Sequence, residues 1–521
     1  MSTDKAPPNR FRALLFVAAA MLLFQIPTSP AETDLGVTPE QLAQAETQLQ
    51  AELARLKAIG APLNVAELAP PPVPDAENAA PLYLAAFAKL AKPAPPPPRG
   101  EPQVGPEAPP PGAPAAPLPR QPGPTTAELE QTVAANAEAL ALLHQAAEMP
   151  RCHLTVDSSR PYGLLPYGRE LQRARTILGR QARLQARQGD PGAALRTLQV
   201  DLALADSVRD QPSVAYQDLR LGIAGVYTAY HLRVLLGVTA PRIFAPPPLP
   251  RGAPPPLPRG AHPPTAPTNA GTAPPEMAKA DPDLDAASPE TELPLPTEAC
   301  RHLFDSLAAF QIDAPVARAL LGQRALVMPV FDDIHKDPRG VAALMYPAGH
   351  PSEDDTLNVA DLWTGPQGLQ ILAFDELTFL RGMDQVIAGE RRGWPVWPLA
   401  VPRGCVISRE WLYALESLAP MTQDTAKVQI GLSQVTLALT AYHNAKGEYP
   451  ATLEALRAGV PWKLPLDPYS GRDFCYEGEG EGFTLYSVGP DLRDDGGAPE
   501  NDTVHEDGVP TGDIVWVKDE G

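Results

Sequence analysis

The sequence predicts a mainly α protein with a small α+β module at its C-terminus and long proline-rich disordered linkers. Three observations predict it. Apolar residues recur at three- and four-residue spacing through most of the non-proline sequence, the period of a helix with one buried face. The 66 prolines among 521 residues concentrate in two stretches with almost nothing to bury. Short runs of strand-forming residues bounded by glycines occur only near the C-terminus.

The N-terminus reads as an address. Lys5, Arg10 and Arg12 precede an apolar run, Ala13 to Ile26, that is short for a bilayer span, and Ser29-Pro30-Ala31 supplies small residues for cleavage. Residues 1–31 are therefore expected to be a signal peptide or, uncleaved, a membrane anchor. Either way the bulk of the chain lies outside the cytoplasm, whether periplasmic, secreted or anchored to the inner membrane and facing outward. The net charge of -20 leaves no basic face to neutralise phosphates and argues against a nucleic-acid partner.

The elements follow in order. Residues 32–91 hold two helices. The first spans 36–58, with Thr38 as N-cap and Pro39 at the first helical position, and the second runs from about Asn78 to Leu90. Residues 92–125 form a Pro/Ala/Gly linker. A helical scaffold spans 126–238. It contains a helix at 127–148, one at 169–188 carrying Leu171, Ala174, Leu178 and Ala182 on one face, and a turn at Gly189-Asp190-Pro191. A helix with Ala194, Leu198 and Leu202 follows, then one over 212–236. The second linker, 239–298, contains APPPLPRGA at 245–253 and again at 253–261, a duplication read as tolerated slippage.

Helices are expected next at 300–310, 313–326, 369–390 and 408–417 within a helical region 299–420. Trp394, Pro395, Trp397 and Pro398 form a rigid aromatic connector, read as a core plug. The C-terminal module, 421–521, opens with a helix at 423–445 whose apolar stripe is Leu432, Val435, Leu439 and Tyr442. Gly447 stops it and Pro450 prevents its resumption. A helix at 451–458 precedes strands Phe474 to Tyr476, Phe483 to Val488 and Ile514 to Val517.

Sequence chemistry is sparse. There is no GxSxG, HExxH, P-loop or strand-helix GxGxxG motif, and no CxxC pair among Cys152, Cys300, Cys405 and Cys475. Cys152 and His153 are adjacent, which places their side chains poorly for a nucleophile-base pair; Cys300 and His302 could both reach a metal, though that spacing is common by chance; Asp332-Asp333 with His335 and His350 with Glu353-Asp354-Asp355 suggest carboxylate-histidine metal sites but are read as exposed polar loop residues. The exception is DLRDDGG, whose carboxylates and glycines supply the oxygens and the tight backbone that calcium requires. The same loop without an ion would simply be solvated, and both readings stay open on residues alone.

Two resemblances refine this picture. The segment ARQGDPGAALRTL resembles the helix-turn-helix of tetratricopeptide repeats, for one pair of helices only. The motifs Gly447-Glu448-Tyr449-Pro450, Leu464-Pro465 with Asp467-Pro468, Tyr476, Leu485-Tyr486-Ser487-Val488-Gly489-Pro490-Asp491, Gly496-Gly497 and Asp513-Ile514 resemble the globular end of the major pseudopilin of bacterial type II secretion systems. That resemblance covers about the last hundred residues. It implies one calcium ion, with Asp491 and Asp513 at the family's acidic positions and Asp494 and Asp495 in the same loop. The Leu485 carbonyl and the Ser487 hydroxyl would complete the shell. The pseudopilin's processed glycine, its phenylalanine and its long apolar helix do not precede residue 423, so the resemblance implies the module rather than a pilus subunit. The segments DAENAAPLY and LLGQRALVMPVF, with the helical hairpin, resemble large exported bacterial families to which no activity is assigned.

The resulting expectation is an exported, non-enzymatic structural or interaction protein of the cell envelope. It would have envelope proteins as partners, a calcium-binding C-terminal module, and membrane association through the N-terminal apolar segment. The alternatives are a component related to type II secretion, or an enzyme seated in the helical region 299–420.

Overall fold

The computed structural model describes residues 35–91, 123–154, 167–237, 294–345, 358–390, 401–479, 482–499 and 511–517. The expected N-terminal signal or anchor, almost all of both proline-rich stretches, the expected Trp394/Trp397 connector and the cluster at His350 lie outside them. Within them the protein is mainly helical with one small antiparallel sheet. Among the described residues no helix is long and apolar enough to cross a membrane.

Helix α1 (Pro39–Ala58) starts where Thr38 caps it, with a reciprocal capping box to Gln41. Helix α2 (Ala80–Lys89) follows two short 3₁₀ turns, Val65–Leu68 and Asp75–Glu77. The helix predicted at 127–148 is two, α3 (Thr126–Ala135) and α4 (Ala137–Ala147), broken at Asn136. The break has an identifiable cause. Buried Asn136 donates through Nδ2 to the Thr132 carbonyl and accepts at Oδ1 from the Ala91 N–H, fastening the chain that leaves α2.

Helices α5 (Gly168–Arg187) and α6 (Pro191–Asp206) form the expected hairpin, with Asp190 accepting from the Ala193 N–H at 2.8 Å as N-cap. Arg173 and Arg187 of α5 hold the two ends of the first proline-rich stretch. Arg173 donates to the Leu90 and Ala91 carbonyls, and Arg187 to the Pro124 carbonyl.

The single helix expected over 212–236 is interrupted. Helix α7 (Val214–Leu221) passes into a π-helical turn (Gly222–Tyr227) before α8 (Thr228–Leu235). A Cβ at Gly225 would come within 2.8 Å of the Ala426 Cα, so the π turn sits where backbone meets backbone. Arg175 of α5 lies over the Tyr227 ring, 3.4 Å from its centroid.

Helix α9 (Thr297–Ala309) precedes α10 (Asp313–Lys336), which runs ten residues beyond the predicted 326 despite Pro329. Val327, Val330 and Phe331 are fully buried, and their packing carries the helix through the lost hydrogen bond. Two short helices, α11 (Pro338–Met345) and α12 (Val359–Thr364), were not expected. They bury Val341, Ala342, Met345, Val359 and Trp363.

Helix α13 (Gly368–Glu390) leads to α14 (Val406–Lys446), one continuous helix of 41 residues where the sequence predicts two, 408–417 and 423–445. Pro420 lies between the two predicted helices, and the two halves of α14 are anchored in different cores, which outweighs the local cost of a proline. Gly447 ends α14 in the left-handed region at φ +79°, as expected. Helix α15 (Leu453–Gly459) and strands β1 (Cys475–Glu479), β2 (Gly482–Ser487) and β3 (Ile514–Val517) complete the chain, in sheet order β1-β2-β3.

Three apolar clusters hold these elements. One joins α2, α4 and the facing sides of α5 and α6. A second joins α1, α10, α11, α12, α13 and the first part of α14, through Leu412 and Leu415. The third joins α6, α8, α9, the second part of α14 and the sheet, through Leu432, Val435 and Leu439. The C-terminal sheet therefore shares its core with the helical scaffold.

One close approach sets a test. Gly322 lies inside α10, where alanine would ordinarily stabilise by about 1 kcal/mol. Here a Cβ would sit 2.2 Å from the Pro212 carbonyl oxygen. Gly322→Ala is expected to destabilise by about 1–3 kcal/mol in urea unfolding. An unchanged or raised midpoint would show that the α10–Pro212 contact yields freely.

Candidate metal centre

The site is built from the sheet outward. β1 and β2 pair antiparallel, with Tyr476 opposite Leu485 and Cys475 opposite Tyr486. β3 adds antiparallel to β2, with Ile514 opposite Ser487 and a bulge between Leu485 and Tyr486. Alternation along β2 buries Phe483, Leu485 and Ser487 and leaves Tyr486 half-exposed. Leu485 is a core residue of the third cluster.

Beyond Ser487 the chain turns back toward the start of β3. Gly489 has φ +69°, and a Cβ there would lie 2.5 Å from the Gly512 carbonyl oxygen, so this turn requires glycine. Leu492, exposed at the loop tip, also has φ 60°, a conformation that leucine adopts only when its surroundings impose it.

Asp513 organises the loop. Its side chain is 1% exposed, and Oδ2 accepts from the N–H groups of Asp495 at 3.1 Å and Gly497 at 2.8 Å. Its Oδ1 is buried and has no hydrogen-bond partner among the described residues. Burial pushes its pKa up to about 6; the two N–H donors work against that, and the charges of Asp494 and Asp495 add to it. The Asp513 N–H donates to the Ala498 carbonyl at 2.8 Å, closing the base of the stretch 500–510, which lies outside the described residues. The hairpin tip at 480–481 and the sequence Asn501-Asp502-Thr503 also lie outside them.

Each predicted ligand has a definite place. The Asp494 Oδ1 accepts from the Tyr486 hydroxyl at 2.8 Å and from the Gly496 N–H at 3.0 Å. The Asp491 Oδ1 accepts from the Arg493 N–H at 3.1 Å. The Asp495 side chain is exposed while its N–H is held by Asp513. The Ser487 hydroxyl donates to the Asp467 Oδ1 at 2.8 Å and accepts from the Gly489 N–H. The loop thus brings Asp494, Asp495 and Asp513 together and turns Ser487 toward Asp467. It does not gather all six positions at one point. Among the described residues, no group of three or more His, Cys, Asp or Glu side chains is arranged to hold a metal ion.

Sequence reasoning passed over Asp467 as a site residue. It is 1% exposed and also accepts from the Tyr469 N–H and the Ser470 hydroxyl, which makes it the hub beneath the loop. The signal was present in Asp467-Pro468-Tyr469-Ser470, an aspartate with a hydroxyl three residues on. A second omission is Arg233 of α8. It is 1% exposed, stacks 4.0 Å over the Trp516 ring, and donates to the Trp516 carbonyl at 3.3 Å and to the Gln429 Oε1 at 3.2 Å. Burial pulls its pKa down to about 9.

The other polar groups singled out in the sequence do not converge. Asp332 and His335 are exposed on α10, the His335 Nδ1 lies 2.9 Å from the Phe331 carbonyl oxygen of its own helix, and Lys336 pairs with Asp333. Cys300 is buried while His302 is exposed. All four cysteines are unbridged.

Comparison with protein-family models, with curated proteins and with solved structures returns no match.

Proposed function

We propose that this is an exported structural or interaction protein of the cell envelope, in which a tetratricopeptide-like helical body carries a pseudopilin-like C-terminal module organised by calcium. The observation that carries the calcium reading is the Asp513 Oδ1, a buried carboxylate oxygen that receives no hydrogen bond while its twin receives two. An oxygen in that state costs about 1–3 kcal/mol unless something satisfies it. Asp494 and Asp495, whose charges act on Asp513, and the left-handed glycines Gly496 and Gly497 supply carboxylates on a tightly turned backbone, the chemistry of a hard-cation site, and these side chains would have to turn toward Asp513 to form the shell. Asp491 is a further carboxylate of the loop. The Leu485 carbonyl stands at the β2 bulge, where ladder pairing is irregular. Ser487 supports the set through Asp467.

Bound calcium would neutralise the loop carboxylates and hold the Asp513 carboxyl ionised. The helical body would offer the partner surface, and the N-terminal segment would place the protein at or beyond the membrane.

The test is calorimetric titration of calcium into the full chain, with thermal melts in calcium and in chelator. One saturable site and a raised melting temperature are expected. Asp513→Asn is expected to weaken binding at least tenfold, and Asp491→Ala is expected to weaken it more than Asp507→Ala. Silent titration of the folded wild-type chain would overturn the calcium reading. Equal effects of the last two variants would overturn the ligand assignment.

A further inference from the structure

A largely buried carboxyl group without a hydrogen-bond or ion-pair partner among the described residues lies where helix α1 meets the rest of the protein. Glu376 of α13 is 7% exposed and makes no hydrogen bond or ion pair among the described residues. The charges that face it are all carboxylates. α1 presents Glu46, α10 presents Asp332, and its own helix adds Asp375; among the described side chains of α12 and α14, also packed on α13, no charge acts on it. Glu46 and Asp332 are exposed at the rim of the seam, while Ala45 and Leu49, flanking Glu46, are buried in the second core cluster.

The cations nearby are already engaged. Arg55 of α1 pairs with Glu52 and Asp384, Arg324 of α10 pairs with Asp384 at 2.9 Å, and Arg381 donates to the Gln48 Oε1. Arg55 and Arg324 pin the far end of α1 to α13, while Arg381 is held on Gln48, two residues from Glu46, and makes no ion pair with Glu376.

We propose that this seam is a proton-operated clasp. With Glu376 protonated, α1 lies closed on α10 and α13. With Glu376 ionised, its charge sits among Glu46, Asp332 and Asp375, and the Glu46 end of α1 lifts. A proton is the ligand the geometry favours, because it removes the charge without demanding the oxygen shell that a metal requires. Lifting α1 would expose the apolar residues Leu42, Ala45 and Leu49 on the strip of chain that joins the N-terminal segment to the body.

The direction of the pH dependence follows from burial. Burial first, then Asp332, Glu46 and Asp375, raise the Glu376 pKa from 4.5 to about 7. The proton is held in the closed state and lost in the open one, so closure is strongest below pH 4.5, weakens as pH rises from there to about 7, and is level above that. The two values bound the loss of closure from this one group at about 300-fold.

Hydrogen exchange of the full chain tests the clasp, read as protection factors of the α1 amides at pH 5 and pH 8. A fall of up to about 70-fold is expected in the wild type between these two pH values. In Glu376→Gln, α1 is expected to keep its pH 5 protection at both pH values. Glu46→Gln, at an exposed position, is expected to shrink the fall while leaving the fold unchanged, so the proposal stays testable if the first variant is unstable. Equal wild-type protection at the two pH values, or an undiminished fall in both variants, would overturn it.

Discussion

Trp516→Ala is expected to remove about 4 kcal/mol of stability, and to remove it from the helical body as well as from the sheet. The indole is fully buried, and its ring lies under the Arg233 guanidinium while its own carbonyl accepts from that group. Truncation leaves a cavity and also leaves a buried cation without its aromatic face. Because the sheet and helices α6, α8, α9 and α14 share one apolar cluster, the loss should appear in a single transition of the far-ultraviolet helical signal during urea unfolding. A separate early transition, with the helical midpoint unchanged, would mean that the module folds on its own and that Arg233 is incidental. The same sharing is why calcium binding is best measured on the whole chain.

Asp375→Ala is expected to cost about 3 kcal/mol. The long helix α14 begins after Cys405, which supplies no cap, and the missing acceptor comes from a neighbouring helix. Asp375 of α13, fully buried, accepts from the N–H groups of Ile407 and Ser408, each at 2.9 Å, and from the Ser408 hydroxyl at 2.6 Å. Alanine leaves two first-turn N–H groups and a hydroxyl without an acceptor in a dry site. Burial pushes the Asp375 pKa up to about 6, with the three donors acting in opposition. Its folded pKa lies above the usual 3.8, so its contribution is full below about pH 4 and declines as pH rises to about 6. The mutational cost should therefore be larger at pH 4 than at pH 7. Urea midpoints at the two pH values check this, and a cost below about 1 kcal/mol at both would show that water takes over the cap.

These residues also mark where the sequence stops being legible. Helices with a regular apolar face and a local cap were readable, and Thr38, Asp190 and Gly447 act as their chemistry suggests. The helix breaks were not. Asn136 breaks a helix because a distant N–H binds its side chain, whereas Pro329 and Pro420 fail to break theirs because packing on either side prevails. The cap of α14 lies 32 residues away on another helix, beyond any local pattern.

In the acidic loop the backbone closes on Asp513, which accepts from the Asp495 and Gly497 N–H groups. The division of labour was hidden, because Ser487 answers to Asp467, 20 residues earlier, and not to its neighbours in the loop. The clasp at Glu376 was invisible for the same reason: its facing charges come from three helices.

The Arg233–Trp516 contact spans 283 residues, and that separation imposes an order on folding. At the usual pace of protein synthesis, Arg233 is made about 15–55 s before its indole partner exists. Throughout that interval the helices around it must wait with a cationic slot open to water, or with another aromatic ring borrowed to fill it. Closure of β3 over Arg233 is therefore a long-range step, and a chain that ends before Trp516 lacks the ring and the carbonyl that cover the guanidinium.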